Sequence, residues 1–305
     1  MIELANADGF IRNFETFGRK VQRIPLTYFD GRKVNLLMSK CGRRWICLPY
    51  LSEGVMETHG VEVKDPPFSL FESEDGNLCS TSNSRWEIRD RRAYSNYLYN
   101  DKVNFRFNIG DLTQPLIDVF PSNVRRKIKK AHSNGLVLKS GGKQYLKHFY
   151  KVYSRRMYAI GVCPCAKSYI KKRLKGGDYW LFIVYYNNKP IGAASLMQNS
   201  PSYMENEFFA TDSSFNHLYC SYLLHFGMMN FATQHQADYC LGRSAFDGSV
   251  YEYKRHFKAE QYQLFWSYSH RTKNIRNRKY LYKLWRLLPY PLMLRVAPFV
   301  YRRIY

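Results

Sequence analysis

Large apolar and polar residues alternate along residues 102–109 (KVNFRFNI), a period-two pattern that predicts a strand with one buried face. Residues 21–29 (VQRIPLTYF) and 33–39 (KVNLLMS), separated by Asp30-Gly31, predict a hairpin. Residues 44–51 (RWICLPYL) predict a short apolar strand ending near Pro49, and the Val61-Glu62-Val63 triplet precedes a Pro66-Pro67 break. Ser84, with Glu87 three positions on, predicts a capped helix over residues 85–99.

From residue 121 the period lengthens. Pro121-Ser122 opens a strongly basic helix over residues 123–133, stopped by Asn134-Gly135; Val124, Ile128 and Ala131 form its single apolar stripe. Helical spacing continues over residues 144–160 (Leu146, Phe149, Tyr150, Tyr153, Met157) and 167–174, before Gly176-Gly177. Strand patterns return at residues 179–186 (YWLFIVYY), 190–198 and 202–211, and residues 218–234 predict a helix with an apolar face.

The stretch 238–266 then concentrates chemistry. Tyr239-Cys240-Leu241 predicts a buried strand, and Gly242 supplies a permissive residue at its exit. Arg243-Ser244 follows; Tyr251 to Lys258 places Lys254, Arg255 and His256 among aromatic residues, and residues 262–268 alternate as a last strand. The order predicts two cations and a hydroxyl brought close together; a basic loop between two core strands is the alternative.

Charge sharpens this picture. Lys and Arg number 47 against 24 Asp and Glu, a net +23, and no acidic residue occurs between Asp118 and Asp178 or after Glu260. Fields of this size predict an anionic partner: nucleic acid, a phosphorylated substrate or an acidic membrane face. Residues 279–305 interleave Trp, Tyr and Leu with Arg and Lys, which suits peripheral contact with a membrane interface; a helix docked on the core is the alternative. Seven scattered cysteines predict reduced thiols and a cytoplasmic location, and the first residues lack the pattern of a signal peptide. Cys163 and Cys165 have no second pair nearby, so no metal site is expected. The HExxH and GxxxxGK[ST] patterns and a Ser-His-Asp order are missing, against metalloprotease, P-loop and hydrolase readings.

Several stretches together resemble Fem-type proteins of the GNAT superfamily. PSNVRRKIKKAHSNGLVL is similar to the entry into their second domain, and KPIGAASL, FFATDSSFNHLYCSYLLHFGM, DYCLGRS and YKRHFKAE resemble successive later segments. RRWICLPYLSEGV resembles a first-domain strand; Lys258 replaces the family glycine, and the second glycine after Gly54 is missing. The order of helices, three-stranded meander, helix, strand and strand is also the GNAT core plan. The resemblance implies an α+β fold of tandem GNAT-like domains, with mixed sheets flanked by helices. It divides the chain into residues 1–118 (a degenerate first domain), 119–270 (the second) and a basic, aromatic C-terminal segment, 271–305.

It also implies transfer of an acyl or aminoacyl group to an amine, typically on a cell-envelope precursor, and the Gly-Arg-Ser at 242–244 resembles the exopolysaccharide-associated branch. No bound cofactor is implied, only an acyl donor as co-substrate: acyl-CoA, acyl-carrier protein or aminoacyl-tRNA. Residues 211–217 contain no glycine, against the usual pyrophosphate-binding turn. Lys254, at the family's Phe-Lys position, is the expected electrostatic element, with Ser244 and Tyr251 as lesser catalytic candidates. Arg243 suits bidentate phosphate recognition, and Arg125, Arg126, Lys129 and Arg255 would meet a polyanionic envelope precursor or tRNA. Asp238, Asp247, Glu205 and Glu207 are the carboxylates open as general base. A nucleic-acid-binding module and a catalytically silent envelope-assembly protein are the other classes consistent with the charge.

Overall fold

The computed structural model describes residues 1–15, 20–27, 31–41, 44–48, 51–60, 85–110, 112, 114–271 and 285–304. The first half is mostly strands: β1 (Ile2–Leu4), α1 (Asp8–Glu15), β2 (Val21–Thr27), β3 (Lys33–Cys41), β4 (Arg44–Ile46), β5 (Val55–Glu57), β6 (Arg85–Asp90) and β7 (Tyr97–Phe107). The second half begins with α2 (Leu116–Val119), α3 (Ser122–Ser133), β8 (Val137–Gly141), α4 (Leu146–Ile160) and α5 (Lys167–Arg173). The meander β9 (Tyr179–Tyr186), β10 (Lys189–Ser200) and β11 (Tyr203–Thr211) follows, then α6 (Cys220–Gln234) and β12 (Asp238–Cys240). β13 (Ser244–Ala245), α7 (Ser249–Arg255), β14 (Glu260–Tyr268) and α8 (Tyr290–Ile304) complete the described chain.

The hairpin expected around Asp30-Gly31 forms, with Val21 opposite Ser39 and Thr27 opposite Lys33. The helix expected over residues 85–99 does not: β6 and the start of β7 occupy that stretch. RWEIRD alternates as well as it spirals. Its Trp86 and Ile88 are buried, while Glu87 and Arg89 pair on the opposite face, where Arg89 also lies 4.2 Å from the Trp266 ring centre. Burying both faces against neighbouring strands outweighs a local capping signal. The Val61-Glu62-Val63 triplet, Pro66-Pro67 and Ser84 lie outside the described residues.

All the described strands join one mixed sheet, ordered β1-β5-β3-β4-β6-β14-β7-β12-β11-β10-β9-β8, with β2 on β3 and β13 on β7. Helices cover both faces of the second half, and β9 shows why its sequence is almost continuously apolar. Phe182 and Val184 pack toward α6 and α3, whereas Leu181 and Ile183 pack toward α4 and α5. Val124, Ile128 and Ala131 of α3 are the residues that meet the core, as the stripe predicted. In the C-terminal segment, α8 packs one side on the core. Tyr290 hydroxyl lies 2.8 Å from Ser154 Oγ on α4, and Met293 and Ala297 are fully buried.

Candidate functional site

β11 and β12 run parallel but pair only over Tyr203–Glu205 and Asp238–Cys240. Beyond that point β11 bulges: Leu196 faces Asn206, yet Ala194 faces Phe209, one residue more on β11 than on β10. Side chains take up the displaced backbone groups. Asn206 donates its amide to the Ser195 and Phe208 carbonyls, both at 2.9 Å, and Phe208 N–H donates to Ser195 Oγ at 3.0 Å. β12 ends just as β11 bulges, so the two strands open into a fork.

Gly242 sets the far side of the fork. Its φ of +77° is left-handed, and a Cβ there would sit 2.9 Å from the Asn206 carbonyl oxygen. Gly242→Ala is therefore expected to cost about 1–3 kcal/mol and to lower any activity with it. Thermal melting checks this, and an unchanged melting temperature would show that the turn relaxes freely.

A cavity of about 570 Å³ fills the fork, and Lys254 and Arg243 both line it. Lys254 arrives from α7, fully inside the protein. Its Nζ donates to the Gly242 carbonyl at 2.6 Å and the Arg243 carbonyl at 3.3 Å. An ammonium has three N–H bonds, so one remains for the cavity. Burial pushes this amine down to about 8, with the Arg243 charge acting in the same direction and Cys240 and Glu205 opposing it. Arg243 donates Nη1 to the Leu51 carbonyl at 2.8 Å, and its guanidinium carbon lies 5.6 Å from the Trp266 ring centre.

Two of the four candidate carboxylates, Glu205 and Glu207, line this cavity. Glu205 accepts from Ser52 N–H at 3.1 Å, from the Ser52 hydroxyl, and from Asn199 Nδ2 at 3.1 Å. Burial raises its pKa against the pull of Ser52 and the Arg243 charge. Glu207 is held by Tyr169 hydroxyl at 2.8 Å and faces Arg173 Nε at 3.9 Å. Asp238 is committed elsewhere, to Arg106 and to Ile109 N–H at 2.8 Å. Asp247 sits in an exposed turn with φ of +56°.

The other predicted residues are dispersed. Ser244 enters β13 opposite Val103; its buried Oγ has no hydrogen-bond partner among the described residues. Tyr251 belongs to the core, its ring 5.6 Å from Phe105 and its hydroxyl on Gln261 at 3.3 Å. Arg255 is exposed and pairs with Glu252 at 3.3 Å. On α3, Arg125 donates to the Asp118 carbonyl at 3.1 Å while Arg126 and Lys129 are exposed, and none of the three lines the cavity.

Residues not singled out as site candidates also line the fork: Ser52, Arg156 and His225. His225 is buried, stacked 4.5 Å from Phe209, with Nδ1 2.7 Å from the Tyr239 hydroxyl. Burial and then Lys254 push its pKa well below the usual imidazole value, so the ring is neutral at neutral pH. Arg156 also lines a smaller cavity of about 200 Å³ with Lys151, Arg155 and Lys189. There the Asp212 carboxylate accepts from Ser214 N–H at 3.1 Å and faces Lys189 Nζ at 3.8 Å.

The chain is similar to FemX at 13% identity and a TM-score of 0.58, covering 85% of this chain and 90% of that one. The fold is therefore like that of FemX. A C-terminal domain described as that of a lysylphosphatidylglycerol synthetase, from Agrobacterium fabrum, matches at 11% identity and a TM-score of 0.55, over 86% of this chain and 90% of that domain. L-PGS from Bacillus licheniformis matches at 8% identity and a TM-score of 0.51, over 91% of both chains. No family model and no curated sequence matches the chain. At these identities the likeness is one of fold.

Proposed function

We propose that this protein transfers an acyl or aminoacyl group to an amine on an anionic cell-envelope or exopolysaccharide precursor. The observation that carries the reading is the cavity at the β11/β12 fork, where Lys254 offers its remaining N–H beside Arg243 and Glu205. The acceptor amine attacks the donor's acyl carbon, and the carbonyl oxygen takes up the negative charge. Lys254 donates to that oxygen, which lowers the barrier because the ammonium is already desolvated and fixed. Collapse breaks the bond to the donor's sulfur or oxygen. The amine's proton passes to Glu205 and on to the leaving thiolate or alkoxide. Arg243 and Arg156, which line the same cavity, would receive phosphate groups of either substrate.

The pH dependence follows from Lys254. Its ammonium persists below about 8, so kcat/KM is expected to fall as pH rises through that value. Lys254→Arg, with a group charged throughout, should remove that descending limb; a limb that survives the substitution belongs to another group.

The donor is tested by mass spectrometry of amino-sugar acceptors incubated with the protein and either charged tRNA or a series of acyl-CoAs. Mass gain from charged tRNA makes it an aminoacyltransferase. Gain from acyl-CoA makes it an envelope-polymer acyltransferase. No transfer from either donor class, with acyl-carrier protein also inert, would sink the reading.

A further inference from the structure

We infer that α8, with the turn before it, docks the protein on a membrane surface rich in anionic lipid. One side of the helix is committed to the protein. Met293 and Ala297 are buried, Tyr158 hydroxyl donates to the Leu288 carbonyl at 3.0 Å, and Cys163 Sγ donates to the Ala297 carbonyl at 3.3 Å. The opposite side and the turn before the helix leave large apolar groups in water: Phe299 is 71% exposed and Leu292 44% on the helix, and Leu287 77% before it. Leu292 and Phe299 are two turns apart on one face, with exposed Arg295 between them, and exposed Arg286 adjoins Leu287.

Apolar side chains set among arginines match the acyl boundary and the phosphates above it. Charge selects the lipid: no Asp or Glu occurs from Gln261 to the last residue, so nothing in this segment repels an anionic leaflet. Nucleic acid would satisfy the arginines but leave Leu287 and Leu292 without a partner. No described helix is long and apolar enough to cross a membrane, and a helix already fixed on α4 suits the interface plane.

The docking has a consequence for the cavity, which rests on the transfer reading although the docking itself does not. α4 bears α8 through Ser154 and Tyr158, and it lines the fork with Arg156, Met157 and Ile160. Lipid contact at α8 would hold the cavity within a few helix diameters of the headgroups, where a lipid-linked acceptor would be presented.

The test is flotation of the whole chain with vesicles of phosphatidylcholine alone or mixed with phosphatidylglycerol, at low and high salt. Wild type should float with the anionic vesicles and keep part of that binding at high salt. Leu292→Ser combined with Phe299→Ser should weaken it roughly tenfold or more, with an unchanged melting temperature because both side chains are exposed. Fluorescence of Phe299→Trp should be quenched by lipids brominated in the acyl chain. Unchanged binding by the double variant, or an unquenched tryptophan on bound protein, overturns the proposal. Loss of generic RNA binding in that variant, with wild type ignoring vesicles, assigns the face to nucleic acid instead. None of these readouts depends on transfer activity.

Discussion

Lys254→Met is expected to lower kcat/KM by about 10²–10³-fold while leaving the fold intact. The ammonium is held at the fork by the Gly242 and Arg243 carbonyls and keeps one N–H for substrate. Its folded-state pKa, about 8 against an ordinary 10.5, means the unfolded chain holds this proton more tightly. The charged amine therefore costs stability below pH 8, about 3 kcal/mol, and the cost fades as pH rises toward 10.5. Methionine removes that cost but leaves the Gly242 and Arg243 carbonyls without a donor, a loss of about 1–3 kcal/mol. The two nearly cancel, so the melting temperature should stay close to wild type. Turnover at the wild-type rate would remove Lys254 from the chemistry, and collapse of the fold would make its role structural.

The largest loss of stability is expected from Phe105→Ala, about 3–5 kcal/mol. Phe105 is fully buried on β7, the strand that pairs with β14 on one side and β12 on the other. Its ring packs 5.6 Å from Tyr251 on α7, and its carbonyl accepts from Leu241 N–H at 2.9 Å. The cavity left by the ring would thus open beneath the helix that carries Lys254, so activity should fall with stability. Because β14 lies between β6 and β7, tryptophan fluorescence and far-ultraviolet circular dichroism should report one shared transition, shifted to lower denaturant. Two separated transitions would show that the sheet does not unfold as a unit.

Much of this was legible in the chain. A period-two run marked β7, an apolar run marked β9, two strand patterns around Asp30-Gly31 marked the β2–β3 hairpin, and the Val124, Ile128 and Ala131 stripe marked the buried side of α3. Gly242, Arg243 and Lys254 were legible as a cluster because strand, turn and helix follow within a few residues of one another. The helix read over residues 85–99 failed because a capping signal is local, whereas burial of Trp86 and Ile88 depends on strands distant in sequence. Tyr251 shares the segment of Lys254 but faces Phe105, and one turn of helix separates core from cavity. Ser52 and His225 carry no mark of their own: a lone serine in a loop and a histidine in an apolar helix enter the site only when distant segments meet.

The sequence by itself determined most of the strands, the long helices of the second half, the excess of positive charge and the proximity of Gly242, Arg243 and Lys254, since these follow from periodicity, charge and chain-local geometry. Only the tertiary structure decided which carboxylates face the cavity, that β14 lies between β6 and β7, and which side of α8 is left to the solvent. Those choices depend on contacts between residues far apart in the chain, and the free energy of burying them is set by the partner surface rather than by the local sequence.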